Sequence, residues 1–258
     1  MARSSSPKVP RQRLDRLLVD RGLVESRARA QALVMAGSVF SGDTRLTKPG
    51  HSLPQDAPLE VRGRDHPWVS RGGLKLKGAV DAFDLDFTDR VVVDVGASTG
   101  GFTDVTLAHG AARVYAVDVG HGQLAWSLRQ DPRVHVLERT NARYLDSRLI
   151  PEPVGAIVCD ASFISLKTVL PAALALAAPG ALLVALIKPQ FEVGRDQVGK
   201  GGVVRDPGLH DAVVADMRHW LNHLPGWRVR DVCASPITGP EGNREFLIVA
   251  DRAGEAGE

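Results

Sequence analysis

A doubly wound α/β sheet, preceded by a small α+β domain, is the fold this sequence predicts, on three observations. Short valine- and isoleucine-rich runs alternate with helical patterns from residue 72 to residue 251, as strands and crossover helices of a parallel sheet do. The first of those runs, residues 91–95, ends in a turn bearing Gly96, Gly100 and Gly101 and passes into a helical pattern. Charge also divides the chain: residues 1–66 carry 12 Lys/Arg against 7 Asp/Glu, and residues 67–258 carry 20 against 23. A basic module therefore precedes a near-neutral one.

A chain of 258 residues, 44% of them hydrophobic, can bury a sizeable core in one α/β domain and still carry an appendage. Cys159 and Cys233 lie far apart without metal-type spacing, and both read as buried thiols of a reducing, cytoplasmic compartment. The polar first ten residues lack the apolar core of a signal peptide. Residues 169–187 form an uncharged run of 19, long enough to span a bilayer. Pro179 and Gly180 divide it, so it reads as the end of a helix over 165–178 and a strand over 181–187. No membrane association is expected.

The N-terminal domain is placed at residues 11–62, after a disordered tail over 1–10. A helix is predicted from Arg11 to Gly22, with Leu14, Leu17 and Leu18 on one face. Ser26 is the expected N-cap of a second helix that ends at Ala36, with Gly37 behind it. Residues 39–40 and 45–46 flank a hairpin turn, and a strand over 59–61 closes the unit. So small a core serves by presenting a surface. Arg11, Arg13, Arg16, Arg27 and Arg29 crowd its two helices, and that density favours contact with phosphates.

Residues 63–70 read as a linker, residues 71–252 as the second domain and residues 253–258 as a disordered tail. A helix over 72–83 precedes the opening strand. Strands then follow over 113–118, 134–138, 155–160, 181–187, 229–234 and 245–250, with helices over 102–109, 124–129, 165–178 and 209–224. The last two strands are joined by too few residues for a crossover helix, so the final strand is expected to be antiparallel.

Ligands of a doubly wound sheet gather at the carboxyl ends of its parallel strands. The first such end holds D-x-G-x-x-x-G rather than the G-x-G-x-x-G of dinucleotide binders, and it keeps Asp94 inside the strand. An acid there suits a cation, and S-adenosylmethionine carries an ammonium and a sulfonium. The candidate cofactor-binding residues are Asp94, Gly96, Ala97, Ser98, Thr99, Gly100, Gly101 and Phe102, with Asp118 placed to accept from a ribose and Asp160 nearby. Asp160 and Lys188 end later strands, and Glu245 begins the antiparallel one, so all three meet on the same edge. Lys75, on the preceding helix, can reach them from the side. Converging ionisable groups beside a cofactor turn are candidates for catalysis. No metal-ligand cluster is apparent.

R-L-D-R-L-L at residues 13–18 and Q-A-L-V-M-A-G at residues 31–37 resemble the S-four-type RNA-binding domain. Five further motifs, S-R-G-G-L-K-L from Ser70, D-V-G-A-S-T-G-G-F-T from Asp94, C-D-A-S-F-I-S-L from Cys159, K-P-Q-F-E from Lys188 and G-K-G-G-V-V-R-D from Gly199, complete the pattern. Together they resemble the TlyA family of ribosomal RNA 2′-O-methyltransferases, from about residue 11 to residue 251. The resemblance implies a Rossmann-like FtsJ-type methyltransferase domain and S-adenosylmethionine as cofactor. It also implies a Lys-Asp-Lys-Glu tetrad on Lys75, Asp160, Lys188 and Glu245. The implied substrate is a cytidine of large-subunit, and in some members small-subunit, ribosomal RNA, with Arg71 joining the RNA-binding arginines. One departure lies in the linker, where the family often has R-x-W-V and this chain has His66-Pro67-Trp68-Val69.

In-line positioning of a weak ribose nucleophile is the chemical difficulty. Lys188 is the candidate to orient the hydroxyl, with its proton lost late. Residues 194–206, rich in glycine and charge, are expected to form a mobile loop over the site. A monomer bound to ribosomal subunits is expected. The rival readings are a non-catalytic ribosome-assembly factor, a membrane-active haemolysin, and a dehydrogenase, the last weakened by the missing dinucleotide motif.

Overall fold

The structure, a computed structural model, describes residues 9–24, 26–62, 66–239 and 241–254. Most of both expected tails and the start of the expected linker lie outside the described residues. The chain divides into two compact units, Met1–Pro67 and Trp68–Glu258. Residues 68–70 of the expected linker thus belong to the second unit.

In the first unit, β1 (Arg11–Arg13) leads into α1 (Leu14–Asp20) and α2 (Arg27–Met35). Strands β2 (Val39–Ser41), β3 (Thr44–Leu46), β4 (Ser52–Pro54) and β5 (Glu60–Val61) follow. Sheet order is β3-β2-β5, with β1 and β4 forming a separate antiparallel pair. The predicted first helix therefore begins three residues late. Arg11–Arg13 is held extended by β4, and the Leu14 N–H donates to His51 O at 2.7 Å. Ser26 caps α2 as expected, its Oγ accepting from the Arg29 N–H at 3.2 Å. Leu14, Leu18, Ala30, Val34 and Val39, each 0% exposed, form the small core.

The second unit opens with α3 (Gly72–Phe83), β6 (Val91–Val95), α4 (Gly101–Ala108) and β7 (Arg113–Val117). Next come α5 (Trp126–Arg129), β8 (Val134–Leu137), β9 (Val154–Cys159), α6 (Leu166–Val169) and α7 (Pro171–Ala175). The chain continues through β10 (Ala177–Ile187), α8 (Pro189–Glu192), α9 (Pro207–Asn222), β11 (Trp227–Ala234) and β12 (Phe246–Arg252). The seven strands lie in the order β11-β12-β10-β9-β6-β7-β8. Pairing is parallel from β10 across to β8, and β12 runs antiparallel to both β10 and β11. The predicted doubly wound sheet with a reversed last strand is what forms.

Alternation along the strands sends Val93 and Val95 to one face and Val92 to the other. The first face packs against α6, α7 and α9 through Leu170, Ala173, Val213 and Met217, and the second against α3 and α4 through Leu76, Ala79, Phe102 and Val105. The chain runs outward from β6 through β7 to β8 and then returns to β9 on the other side. Strand order therefore reverses between β6 and β9, which opens a crevice at their carboxyl ends.

The uncharged run of 19 residues departs from expectation. Its helix breaks at Pro171, which has no N–H to continue α6. The strand then begins at Ala177, before the Pro179–Gly180 pair, and absorbs that pair as a register shift with Gly180 at φ +75°. Among the described residues no helix is long and apolar enough to cross a membrane.

Candidate active site

Asp94 enters from β6 on the face covered by α3 and α4, and it is fully buried. Thr103, in the first turns of α4, donates its hydroxyl to Asp94 Oδ2 at 2.7 Å, while Oδ1 has no hydrogen-bond partner. Burial, aided by the charge of Asp160 and opposed by the Thr103 bond, pushes the carboxyl up to about 7.

The turn beyond β6 needs glycine at two places. Gly96 has φ +82°, and a Cβ there would lie 2.7 Å from Ala161 Cα, in the loop after β9. Gly100 has φ +98° and caps α4, where a side chain would strike Leu128. Ser98 is left-handed without being glycine, at φ +48°. Its N–H donates to Asp118 Oδ2 at 2.8 Å, and the Gly120 N–H donates to Oδ1 at 2.6 Å. Asp118 is therefore fixed at the end of β7 with lone pairs to spare. Ser98 Oγ also donates to Gln123 Oε1 at 3.2 Å, a partner the sequence gives no reason to pick.

Other turn residues are partly spent on packing. The Ala97 N–H donates to Val117 O at 3.0 Å, and Thr99 O accepts from the Ala125 N–H at 3.1 Å. Gly101 lies where a Cβ would be 2.6 Å from the Gly73 nitrogen, and the Phe102 ring is buried in the core under α3. Only the main chain of these two remains to meet a ligand.

The four other candidates come together as one chain of alternating charge. Lys75, buried in the first turn of α3, places Nζ 2.7 Å from Glu245 Oε2 and 3.8 Å from Asp160 Oδ2. Lys188 Nζ lies 2.7 Å from Asp160 Oδ1 and donates to Asp160 O at 3.0 Å and to Ser162 Oγ at 2.7 Å. Lys75, Lys188 and Glu245 are 7%, 6% and 3% exposed, a depth at which charges must pair. Topology explains the meeting: Asp160 and Lys188 follow the parallel strands β9 and β10, and Glu245 precedes the reversed β12. Lys77, by contrast, pairs with Asp81 on the outer face of α3.

Two clasps hold the loops that carry these residues. Glu192 accepts from Ser165 Oγ at 2.6 Å and from the Leu166 N–H at 2.8 Å, joining the turn after Lys188 to the start of α6. Burial raises its carboxyl above the usual range against those two bonds. Asn243 accepts from the Val204 N–H at 3.0 Å and donates to Gly202 O at 2.9 Å. The 194–206 segment is thus anchored at Gly202 and Val204 by a residue two along the chain from Glu245. Neither clasp is visible in the sequence, where the partners lie 26 to 41 residues apart.

Cys159 is buried in β9, and burial pushes its thiol up to about 12. Cys233 is only half-buried, a correction to the expectation that both thiols are buried, because it lies on the edge strand β11.

In the first unit, Asp15 is fully buried under two of the candidate arginines. Its carboxylate accepts from Arg13 at 2.9 and 3.0 Å, from Arg27 at 2.9 Å and from Gln31 at 3.1 Å. The Arg13 bond, with help from Gln31 and Arg27, holds the acid well below the usual carboxylate range. Arg13 and Arg27 remain about half exposed, at 48% and 52% of their side chains. Arg11 is bonded to Ser52 O, Arg16 is exposed, and Arg29 is partly buried on α2. Arg71, exposed, belongs to the second unit at the start of α3.

With this geometry in place, likeness to known proteins gives it a class. The family described as FtsJ-like methyltransferase matches residues 68–252, and the S4 domain matches residues 12–56. The fold and the site define a methyltransferase of the FtsJ-like class with an S4 domain in front. A 16S/23S rRNA (cytidine-2′-O)-methyltransferase TlyA of Mycobacterium tuberculosis is 50% identical over 239 residues, 92% of this chain and 89% of that protein. A candidate rRNA methyltransferase of Bacillus subtilis, YqxC, is 48% identical over 252 residues, 96% of this chain and 88% of that one. A solved structure of a candidate hemolysin from Streptococcus thermophilus, 41% identical, superposes with a TM-score of 0.74 and covers 96% of this chain and 92% of that one. The chain belongs to the TlyA family.

Proposed function

We propose that this protein methylates the 2′-hydroxyl of a cytidine in ribosomal RNA, of the large subunit and of the small subunit as well, using S-adenosylmethionine. The observation that carries the reading is the buried Lys75–Glu245, Lys75–Asp160 and Lys188–Asp160 chain beside the Asp94–Asp118 turn. The M. tuberculosis relative, named for the same reaction, supports the choice of substrate.

The residues present fit the cofactor. Asp94 keeps a buried oxygen without a hydrogen-bond partner, and Asp118 is held with acceptor capacity free. Two acids suit an ammonium and a ribose diol better than a pyrophosphate. When bound, S-adenosylmethionine supplies a methyl group already activated on a sulfonium. What this chain must add is aim. Lys188 orients the acceptor hydroxyl through an N–H bond, Asp160 fixes Lys188, and the Lys75–Glu245 pair fixes Asp160 from the other side. The hydroxyl proton leaves late. A pH–rate profile with a group near neutrality that vanishes in Lys188→Ala would make Lys188 a general base instead.

The test is to map 2′-O-methylated positions in ribosomal RNA with and without the protein. Lys188→Ala should erase the added positions, with methyl transfer reduced about 100-fold or more. Retention of those positions would overturn the assignment. Leakage of lipid vesicles by the purified protein, without any methylation, would favour the haemolysin reading.

A further inference from the structure

Ser162 has no assigned role, yet it is a direct partner of Lys188. An ammonium has three hydrogens to give, and three oxygens surround Lys188 Nζ. Ser162 Oγ lies at 2.7 Å, the Asp160 carbonyl oxygen at 3.0 Å and the ion-paired Asp160 Oδ1 at 2.7 Å. Two of the ammonium's three hydrogens are spent on Ser162 Oγ and Asp160 O, and Asp160 Oδ1 stands close by as a counter-charge without accepting one. A hydroxyl that arrives from solvent meets the exposed Ser162 before the buried lysine.

Two of the three belong to Asp160, one a main-chain carbonyl and the other the charged half of an ion pair. The third is a neutral hydroxyl on a single rotatable bond. Exchanging it for another hydroxyl changes no charge and costs one rotation. Exposure singles out the same residue: Lys188 is 6% exposed, whereas Ser162 is exposed. The loop itself is fastened at its far end by Glu192 on Ser165 and Leu166, and the Phe163 and Phe191 rings meet with centroids 5.1 Å apart. Rotation of one side chain is therefore easier than movement of the loop.

We propose that Ser162 Oγ holds the place of the acceptor hydroxyl on Lys188 in the free protein and is displaced when that hydroxyl arrives. Ser162 is a positioning residue that sets how readily the nucleophile reaches the lysine. This rests on the methyl-transfer reading above. No covalent step is involved, only the exchange of one neutral hydrogen-bond acceptor for another.

Steady-state methyl transfer from labelled S-adenosylmethionine to ribosomal RNA tests it, with wild type, Ser162→Ala, Ser162→Thr and Ser162→Asp. Ser162→Ala should lower KM for the RNA about fivefold, the worth of one net hydrogen bond, with kcat changed less than about twofold. Ser162→Thr, which keeps the hydroxyl, should restore the wild-type KM. Ser162→Asp, which does not yield its place on an ammonium, should raise KM about tenfold or more. Loss of kcat in Ser162→Ala at constant KM would overturn the proposal, since the hydroxyl would then be needed during the chemistry. Unchanged KM in both Ala and Asp variants would also overturn it. An inactive wild type would sink the methyl-transfer reading and this inference together. An active wild type with an unresponsive KM would sink this inference alone.

Discussion

Asp94 combines two demands that conflict. A carboxylate suits a cationic cofactor, but full burial in β6 disfavours its charge and raises the carboxyl to about 7. The sign of the consequence follows from linkage. A carboxyl that protonates more readily folded than unfolded makes folding less favourable as pH rises from about 4 to about 7. Above that window the cost is fully present, and below it the cost is gone. The ligand-free protein should therefore melt a few degrees higher at pH 5.5 than at pH 8, about 2–4 °C for each kcal/mol. S-adenosylmethionine should raise the melting temperature more at pH 8, where Asp94 is charged to meet it. Equal ligand-induced shifts at the two pH values would remove Asp94 from the cofactor's contacts. Asp15 works in the opposite sense, since its two arginines depress its carboxyl. Its contribution is present above about pH 4 and is lost as pH falls further.

Among elements, the turn from β6 to α4 carries the sharpest constraint. Gly96 is left-handed and touches the main chain of the Asp160 loop at Ala161. Gly96→Ala meets both a strained φ and backbone that cannot swing aside. It should cost about 1–3 kcal/mol and weaken cofactor binding about tenfold or more. Isothermal titration of the ligand beside a thermal melt checks both halves; wild-type affinity would show that the turn is not the cofactor's cradle. This turn was readable because its glycines, acid and β-branched run are adjacent in sequence. The opposite holds for β1 and β4, whose ladder pairs Arg11 with Pro54 and Arg13 with Ser52, partners far apart in the sequence. Neither strand has a pattern of its own, so Arg11–Arg13 reads as the start of a helix. The run of alanines and leucines before Pro179 failed for a related reason. Helix propensity describes Ala177 and Ala178 correctly, and the pairing of Ala177 with Val154 of β9 overrides it. In the site, the four charged residues are legible from strand-end placement and from likeness to a family. Ser162, Glu192 and Asn243 are not, because each acts on a partner brought near only by the sheet.

At the scale of the whole molecule, charge is divided between the two units more clearly than any motif suggests. The excess of Lys/Arg, 12 against 7, falls in the first 66 residues, while the remainder carries 20 against 23. Binding to RNA should consequently weaken steeply with salt, chiefly through the S4 domain. Arg16, exposed on α1, is the cleanest probe, since Arg13 and Arg27 also neutralise Asp15. Arg16→Ala should lower RNA affinity and reduce the slope of log K against log salt by about one, leaving S-adenosylmethionine affinity unchanged. An unaltered slope would take Arg16 off the phosphate-contacting surface.

Strand β12 has a further consequence, one of timing. It lies inside the sheet, between β10 and β11, yet it is the last of the seven strands to leave the ribosome. A growing chain carries Lys75, Asp160 and Lys188 long before it carries Glu245. Until β12 slots between its neighbours, Lys75 lacks its nearest counter-charge. The same insertion brings Asn243 to the 199–204 segment. Synthesis must reach the last strand before the site is whole, so a stalled or shortened product holds three of the four charges and no finished place to use them.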